Sequence, residues 1–212
     1  MSALDLEEQE QLASIKAWWK QYGNMIVTAA TLVLLLIAAW NAWNWYRGSR
    51  AMEAASLYET LQSAARANDL KAARDASGAI LEKYSGTMYG PLAALISARM
   101  HFQAGDLKTS KAQLQWVTEN SSSDELKSVA RLRLANVLLD DAAPEDALKT
   151  LSGKPAAGFD ALFESMRGDI FLVQKKIVEA RDAYRSAMEK AGKNDPGLSE
   201  QLRRKIDALG EG

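Results

Sequence analysis

The sequence lacks cysteine altogether, holds one histidine and has only four prolines in 212 residues. Without cysteine there can be no disulfide, no thiol nucleophile and no Cys-based metal site. The absence also suits an oxidising compartment, where a stray thiol is a liability, although cytosolic chains share it. Val, Ile and Thr are sparse while Ala and Leu dominate, which favours helix over strand. An excess of either charge is missing too: 26 Lys and Arg are interspersed with 27 Asp and Glu. No basic face therefore invites nucleic acid, and no acidic tail suggests a histone-like partner. With 48% hydrophobic residues the chain is not a disordered one, and it holds ample material for a core.

What is present begins with a long apolar run. Met25 to Trp45, MIVTAATLVLLLIAAWNAWNW, contains no charge, and the nearest are Lys20 and Arg47. About 20 helical residues span the roughly 30 Å hydrocarbon layer. Aromatic residues stand at both ends, with Trp18, Trp19 and Tyr22 before the run and Trp40, Trp43, Trp45 and Tyr46 at its close, as rings do at headgroup level. A cleaved signal peptide would start basic, be shorter and end at small residues. Here the preceding segment is acidic at Asp5, Glu7, Glu8 and Glu10, and the run ends in Trp and Asn. A buried core helix rarely goes from Gln21 to Tyr46 without a charge. The run is read as one uncleaved transmembrane helix, giving a segment 1–24, a span 25–45 and a domain 46–212. Charge does not orient it, because Lys16 and Lys20 on one side nearly balance Arg47 and Arg50 on the other. Residues 1–14 fit either an interfacial helix, with Leu4, Leu12 and Ile15 as a partial apolar stripe, or a disordered start; the stripe leans towards the helix.

Beyond Arg50 the pattern predicts helices near 51–67, 70–84, 88–104, 106–119, 124–140, 144–151, 159–174, 177–191 and 197–209. Gly105-Asp106 and Ser122-Ser123-Asp124 supply a helix stop and caps, and Pro144 and Pro196 sit where a first helical turn tolerates a missing N–H. Internal repeats decide the fold class. In register, Ala98, Ala135 and Gly168 are each followed twelve residues on by Ser110, Ala147 and Ala180. His101, Leu138 and Phe171 lie three residues after the first set, and Leu114, Leu151 and Tyr184 four after the second. Spacings of 37 and 33 residues approach the tetratricopeptide period of about 34. Small residues let two helix backbones approach while larger ones one turn away fill the flanks. The expectation is an all-α protein: a single N-terminal transmembrane helix, then a tetratricopeptide-like helical-hairpin solenoid, with a non-repeating helical bundle as the alternative.

No constellation in this chain points to an enzyme or a cofactor. His101, whose equivalents are Leu138 and Phe171, reads as a satisfied core or groove residue and not as a base. The pairs Asp140-Asp141 and Glu145-Asp146 read as the end of one helix and the start of the next. Trp116 reads as packing. Repeats do offer a concave face, and in this register the first helices present Arg99, Gln103, Asn136, Asp140, Asp169 and Val173. Such a mixed groove fits an extended peptide or partner helix, or equally an ordinary solvated face.

With anchor and repeats in place, the chain resembles the YfgM family, the tetratricopeptide-like ancillary subunit of the SecYEG translocon. The residues that carry this are IKAWWKQYGN (Ile15–Asn24), ASLYETLQSA (Ala55–Ala64), YGPLAALISARMHFQAGDL (Tyr89–Leu107), AQLQWV (Ala112–Val117), LKSVARLRLANVLLD (Leu126–Asp140) and GFDALFESMRGDIFLVQ (Gly158–Gln174). None is a catalytic signature; their order and spacing are the specific feature. The resemblance implies an inner-membrane protein with a cytoplasmic N-terminus and a periplasmic domain. It implies association with SecYEG and a PpiD-like periplasmic chaperone, assisting nascent exported polypeptides. A link to envelope-stress signalling is implied as well, which leaves a membrane-tethered regulatory adaptor, or a cytoplasm-facing assembly factor, as the alternative. The shortened helix before Gly153-Lys154-Pro155 departs from stronger repeats and leaves the groove's shape open.

Overall fold

A computed structural model of the chain describes residues 3–192 and 195–210, with side chains of the first helix from Glu10 onward and at Glu8. Residues 1, 2, 193, 194, 211 and 212 lie outside the described residues, so the expected segments 1–24 and 46–212 are described in part. The side chains of Leu4, Asp5 and Glu7 lie outside them too. Among the described residues there are nine helices and no strand: α1 (Ala3–Arg66), α2 (Leu70–Tyr84), α3 (Tyr89–Gln103), α4 (Leu107–Asn120), α5 (Asp124–Asp140), α6 (Pro144–Thr150), α7 (Asp160–Val173), α8 (Ile177–Ala191) and α9 (Pro196–Ala208). The described backbone of the 1–14 segment is helical. Where the sequence suggests a separate helix from about 51, α1 is one element, since Gly48 within it costs a helix only about 1 kcal/mol. The chain divides into two units, residues 1–50 and 51–212.

In the first unit the apolar run faces outward on every side, with none of it buried within the protein. Leu36 is 71% exposed and Trp45 76%. That exposure removes the buried-core-helix reading, because a helix apolar all round needs an apolar surrounding. The two threonines of the run are suited to a surrounding without water. Thr28 Oγ1 donates to the Asn24 carbonyl and Thr31 Oγ1 to that of Val27, both at 2.8 Å, so neither hydroxyl needs solvent. At the two ends rings pair, Trp18 with Tyr22 at 5.8 Å and Trp43 with Tyr46 at 6.3 Å between centroids. The helix is long and apolar enough to cross a membrane.

In the second unit, caps set the helix starts. Asp69, Asp106, Ser123 and Asp195 each accept from the backbone N–H three residues on, at 2.9–3.1 Å. Pro144 and Pro196 open α6 and α9, with Glu145 and Asp146 in the first turn of α6. The end of α1 packs with α2 in one apolar cluster, α3 pairs with α4, α5 with α6 and α7 with α8, and α9 closes on α8. Within each hairpin the chain reverses through a left-handed residue: Asn68, Gly105, Ala142 and Lys175, at φ 53°, 79°, 54° and 61°. At each, the N–H of the next residue reaches back over the helix end, Asp69 to Ala64, Asp106 to His101, Ala143 to Leu138 and Lys176 to Phe171, at 2.8–2.9 Å. This is the Schellman arrangement four times over.

The spacing of these turns, 37, 37 and 33 residues, shows a hairpin ahead of the three that the sequence register reveals. In that first unit of repeat Leu61 stands where Ala98, Ala135 and Gly168 stand, and Ser77 where Leu114, Leu151 and Tyr184 stand. All these positions are buried. Four apolar clusters follow, each joining one hairpin to the first helix of the next. Leu61, Ala73 and Ile80 pack with Ala93 and Met100; Ala98 and Leu114 with Ala130 and Val137. Ala135, Ala147 and Leu151 pack with Phe163 and Ile170; Ala180 and Tyr184 with Leu202. Each hairpin thus buries its face against its neighbour, as a solenoid requires. The all-α solenoid expected from the repeat is what the chain forms.

Candidate partner-binding cleft

The small residues that let α3 and α4 approach also leave an opening where α5 joins them. A cleft of about 400 Å³ is lined by Ala98, Arg99, Phe102, Ser110, Leu114, Arg133, Asn136, Val137 and Asp140. Its floor is buried and mostly apolar: Ala98, Leu114 and Val137, with Ser110 between them. The rim is polar. Arg99 comes from α3, and Arg133, Asn136 and Asp140 from one face of α5 at helical spacing, so the rim extends over two turns, about 10 Å. Phe102 adds a half-exposed ring.

Two features set its electrostatics. Arg133 makes one long contact, its guanidinium donating to the Leu95 carbonyl at 3.5 Å. Partial desolvation there, and then the positive charge of Arg99, lower its pKa from the ordinary arginine range. At the floor the Ser110 hydroxyl is buried without a hydrogen-bond partner among the described residues. A second opening of about 550 Å³ lies over α4, α5 and α6, but three of its four charged residues are already engaged. There Lys111 pairs with Asp141, Asp146 with Lys149, and Arg131 donates to the Lys154 carbonyl.

Of the six groove residues expected from the sequence, the fold brings Arg99, Asn136 and Asp140 together in the first cleft. Gln103 ends α3 as an exposed residue outside its lining. Asp169 is occupied elsewhere: it accepts from the Tyr184 hydroxyl at 2.7 Å and from Lys205 Nζ at 2.6 Å, tying α7 to α8 and α9. Burial, then that bond to Asp169, raises the Tyr184 pKa. Val173 is the last residue of α7 and is exposed, as are Leu172 and Val178. Arg133 and Phe102 escaped the sequence reading, and Ser110 entered it as a small packing residue of the repeat and not as a groove residue. Arg133 was within reach of it, being one turn before Asn136 on the same face of α5.

The lone histidine is buried and satisfied. His101 Nδ1 lies 2.9 Å from Asp106 Oδ2, while Asp106 Oδ1 caps α4 through the Thr109 N–H. Asp106 is held at about 2, chiefly by its bonds to Thr109 and then by His101. Among the described residues no three His, Asp or Glu side chains gather as metal ligands would.

The tetratricopeptide repeat-like domain family matches residues 16–211 of the chain. Curated relatives span nearly all of it. A protein of Neisseria gonorrhoeae is 28% identical over 98% of this chain and 99% of its own length. One of Escherichia coli is 29% identical over 95% and 96%, and one of Haemophilus influenzae 26% identical over 88% and 91%. Each carries the name ancillary SecYEG translocon subunit. The resemblance carried by the juxtamembrane and repeat segments is thereby borne out.

Proposed function

The chain belongs to the tetratricopeptide repeat-like domain family, and from that premise we propose that it is a membrane-anchored scaffold of the Sec translocon. In this reading it is a protein-binding subunit and not an enzyme. It assists a PpiD-like periplasmic chaperone with newly exported polypeptides. Residues 1–24 lie in the cytoplasm, 25–45 cross the inner membrane and 46–212 form the periplasmic domain. One observation carries the proposal: similarity to the translocon subunits continues through the apolar helix and the repeats alike. The helix supplies the tether, and a tether raises effective concentration enough for weak cleft contacts to serve.

Photocrosslinkers placed in cells at Arg99 and Asn136 test it. Translocon subunits, a periplasmic chaperone or exported chains should be recovered. Cytosolic proteins alone would sink both the orientation and the function. Because the near-even flanking charges do not orient the helix, a second reading stands beside it, a regulatory adaptor of the same fold facing the cytoplasm. Alkaline phosphatase fused after Gly212 separates the two, since it is active only outside the cytoplasm.

A further inference from the structure

We infer that the cleft between α3, α4 and α5 receives an acidic side chain, Asp or Glu, borne on an apolar segment of a partner protein. The inference rests on the cleft being the partner site proposed above and names the chemistry that would be recognised there. On the cleft's own helices Lys111 and Lys127 each hold a carboxylate of this chain, and Arg131 donates to the Lys154 carbonyl. Arg99 and Arg133 line one cleft and, among the described residues, neither has a carboxylate within ion-pair distance. Asp140 shares the lining yet pairs with neither.

Two guanidiniums of like charge beside an apolar floor are unfavourable in the empty domain, and an incoming carboxylate relieves that repulsion. It would gain charge-assisted, fork-shaped hydrogen bonds from the same groups. Ala98, Leu114, Val137 and Phe102 are suited to apolar neighbours of that acid. Polarity along the cleft fixes a direction as well. Arg133 and Asp140 lie two turns apart on α5, about 10 Å, so the acid belongs at the Arg133 end and a donor at the Asp140 end. An opening of that length suits a segment passing through more than a chain terminus.

Full-length protein in detergent, panned against a displayed library of random peptides, tests this. Wild type should enrich Asp or Glu flanked by apolar residues. Arg99→Glu with Arg133→Glu, at unchanged helicity and melting temperature, should bind the selected peptides about 100-fold more weakly and enrich Lys or Arg instead. Acid-free peptides bound alike by both proteins would overturn the inference while leaving the cleft a partner site. So would enrichment confined to peptides with a free C-terminal carboxylate, which would make the ligand a terminus. No enrichment over Asn136→Trp, which fills the cleft from its rim, would overturn inference and site together.

Discussion

The first and last hairpins build one backbone arrangement with opposite side chains. In the last, Gly168 of α7 faces Tyr184 of α8, and a Cβ on Gly168 would run into the Tyr184 ring. In the first, the large residue sits on the other helix: Leu61 of α1 is fully buried, and Ser77 of α2 takes the place equivalent to Tyr184. The middle hairpins, Ala98 with Leu114 and Ala135 with Leu151, resemble the last one. What the repeat conserves is therefore the summed volume across a helix pair and not the residue at a position. Close packing demands this, because interiors tolerate neither a void nor an overlap of a methyl group's size.

Substitutions that load one side of the pair break the comparison hardest. Gly168→Leu puts an isobutyl group into the Tyr184 ring, and it should cost about 3 kcal/mol or more in thermal unfolding of the full chain in detergent. Gly168→Leu with Tyr184→Ser transplants the first hairpin's solution and should recover over half of that loss. If the pair is no better than the single change, volume is not what is being matched. Next in size, Leu61→Ala empties a site with a serine and not a tyrosine across from it. Its expected cost is about 3 kcal/mol, within the usual range for a buried leucine, with little relaxation to soften it. A cost below about 1 kcal/mol would mean that the first hairpin is not packed as its burial indicates.

The same comparison explains what was legible in the sequence. Three hairpins share the order small then large, so Ala98, Ala135 and Gly168 could be lined up by eye and their partners counted off. The first inverts the order, and a search for small residues passes over Leu61. Its turn was visible all the same: Ala67-Asn68-Asp69-Leu70 parallels Ala104-Gly105-Asp106-Leu107, with Asn in place of Gly at the left-handed residue. The expected groove residues divide for a related reason. Register puts Asp169 in line with Asn136 and Arg99, but it does not reveal a neighbouring helix that claims the side chain, as α9 does through Lys205. Nor does it reveal that Arg133, a turn away, leans into the cleft. Periodicity gives the face of a helix; which charges on that face remain free depends on residues far away in sequence.

The smallest expected effect lies in the turns. All four hairpins turn through positive φ, yet glycine fills the position only at Gly105, and asparagine, the next most tolerant residue, at Asn68. Ala142 and Lys175 hold the same conformation against the clash of a Cβ with the following carbonyl, which costs roughly 1–2 kcal/mol. Glycine removes that clash but adds unfolded-state entropy worth about 0.5–1 kcal/mol. The balance predicts that Ala142→Gly stabilises the domain by about 0.5 kcal/mol, and that Gly105→Ala destabilises it by a similar amount. Opposite signs at equivalent turns, read from paired urea titrations, would show that one backbone conformation governs both hairpins. Destabilisation by Ala142→Gly would mean instead that the alanine turn relaxes out of the left-handed region in solution, and that the third hairpin, already short in α6, closes differently from its neighbours.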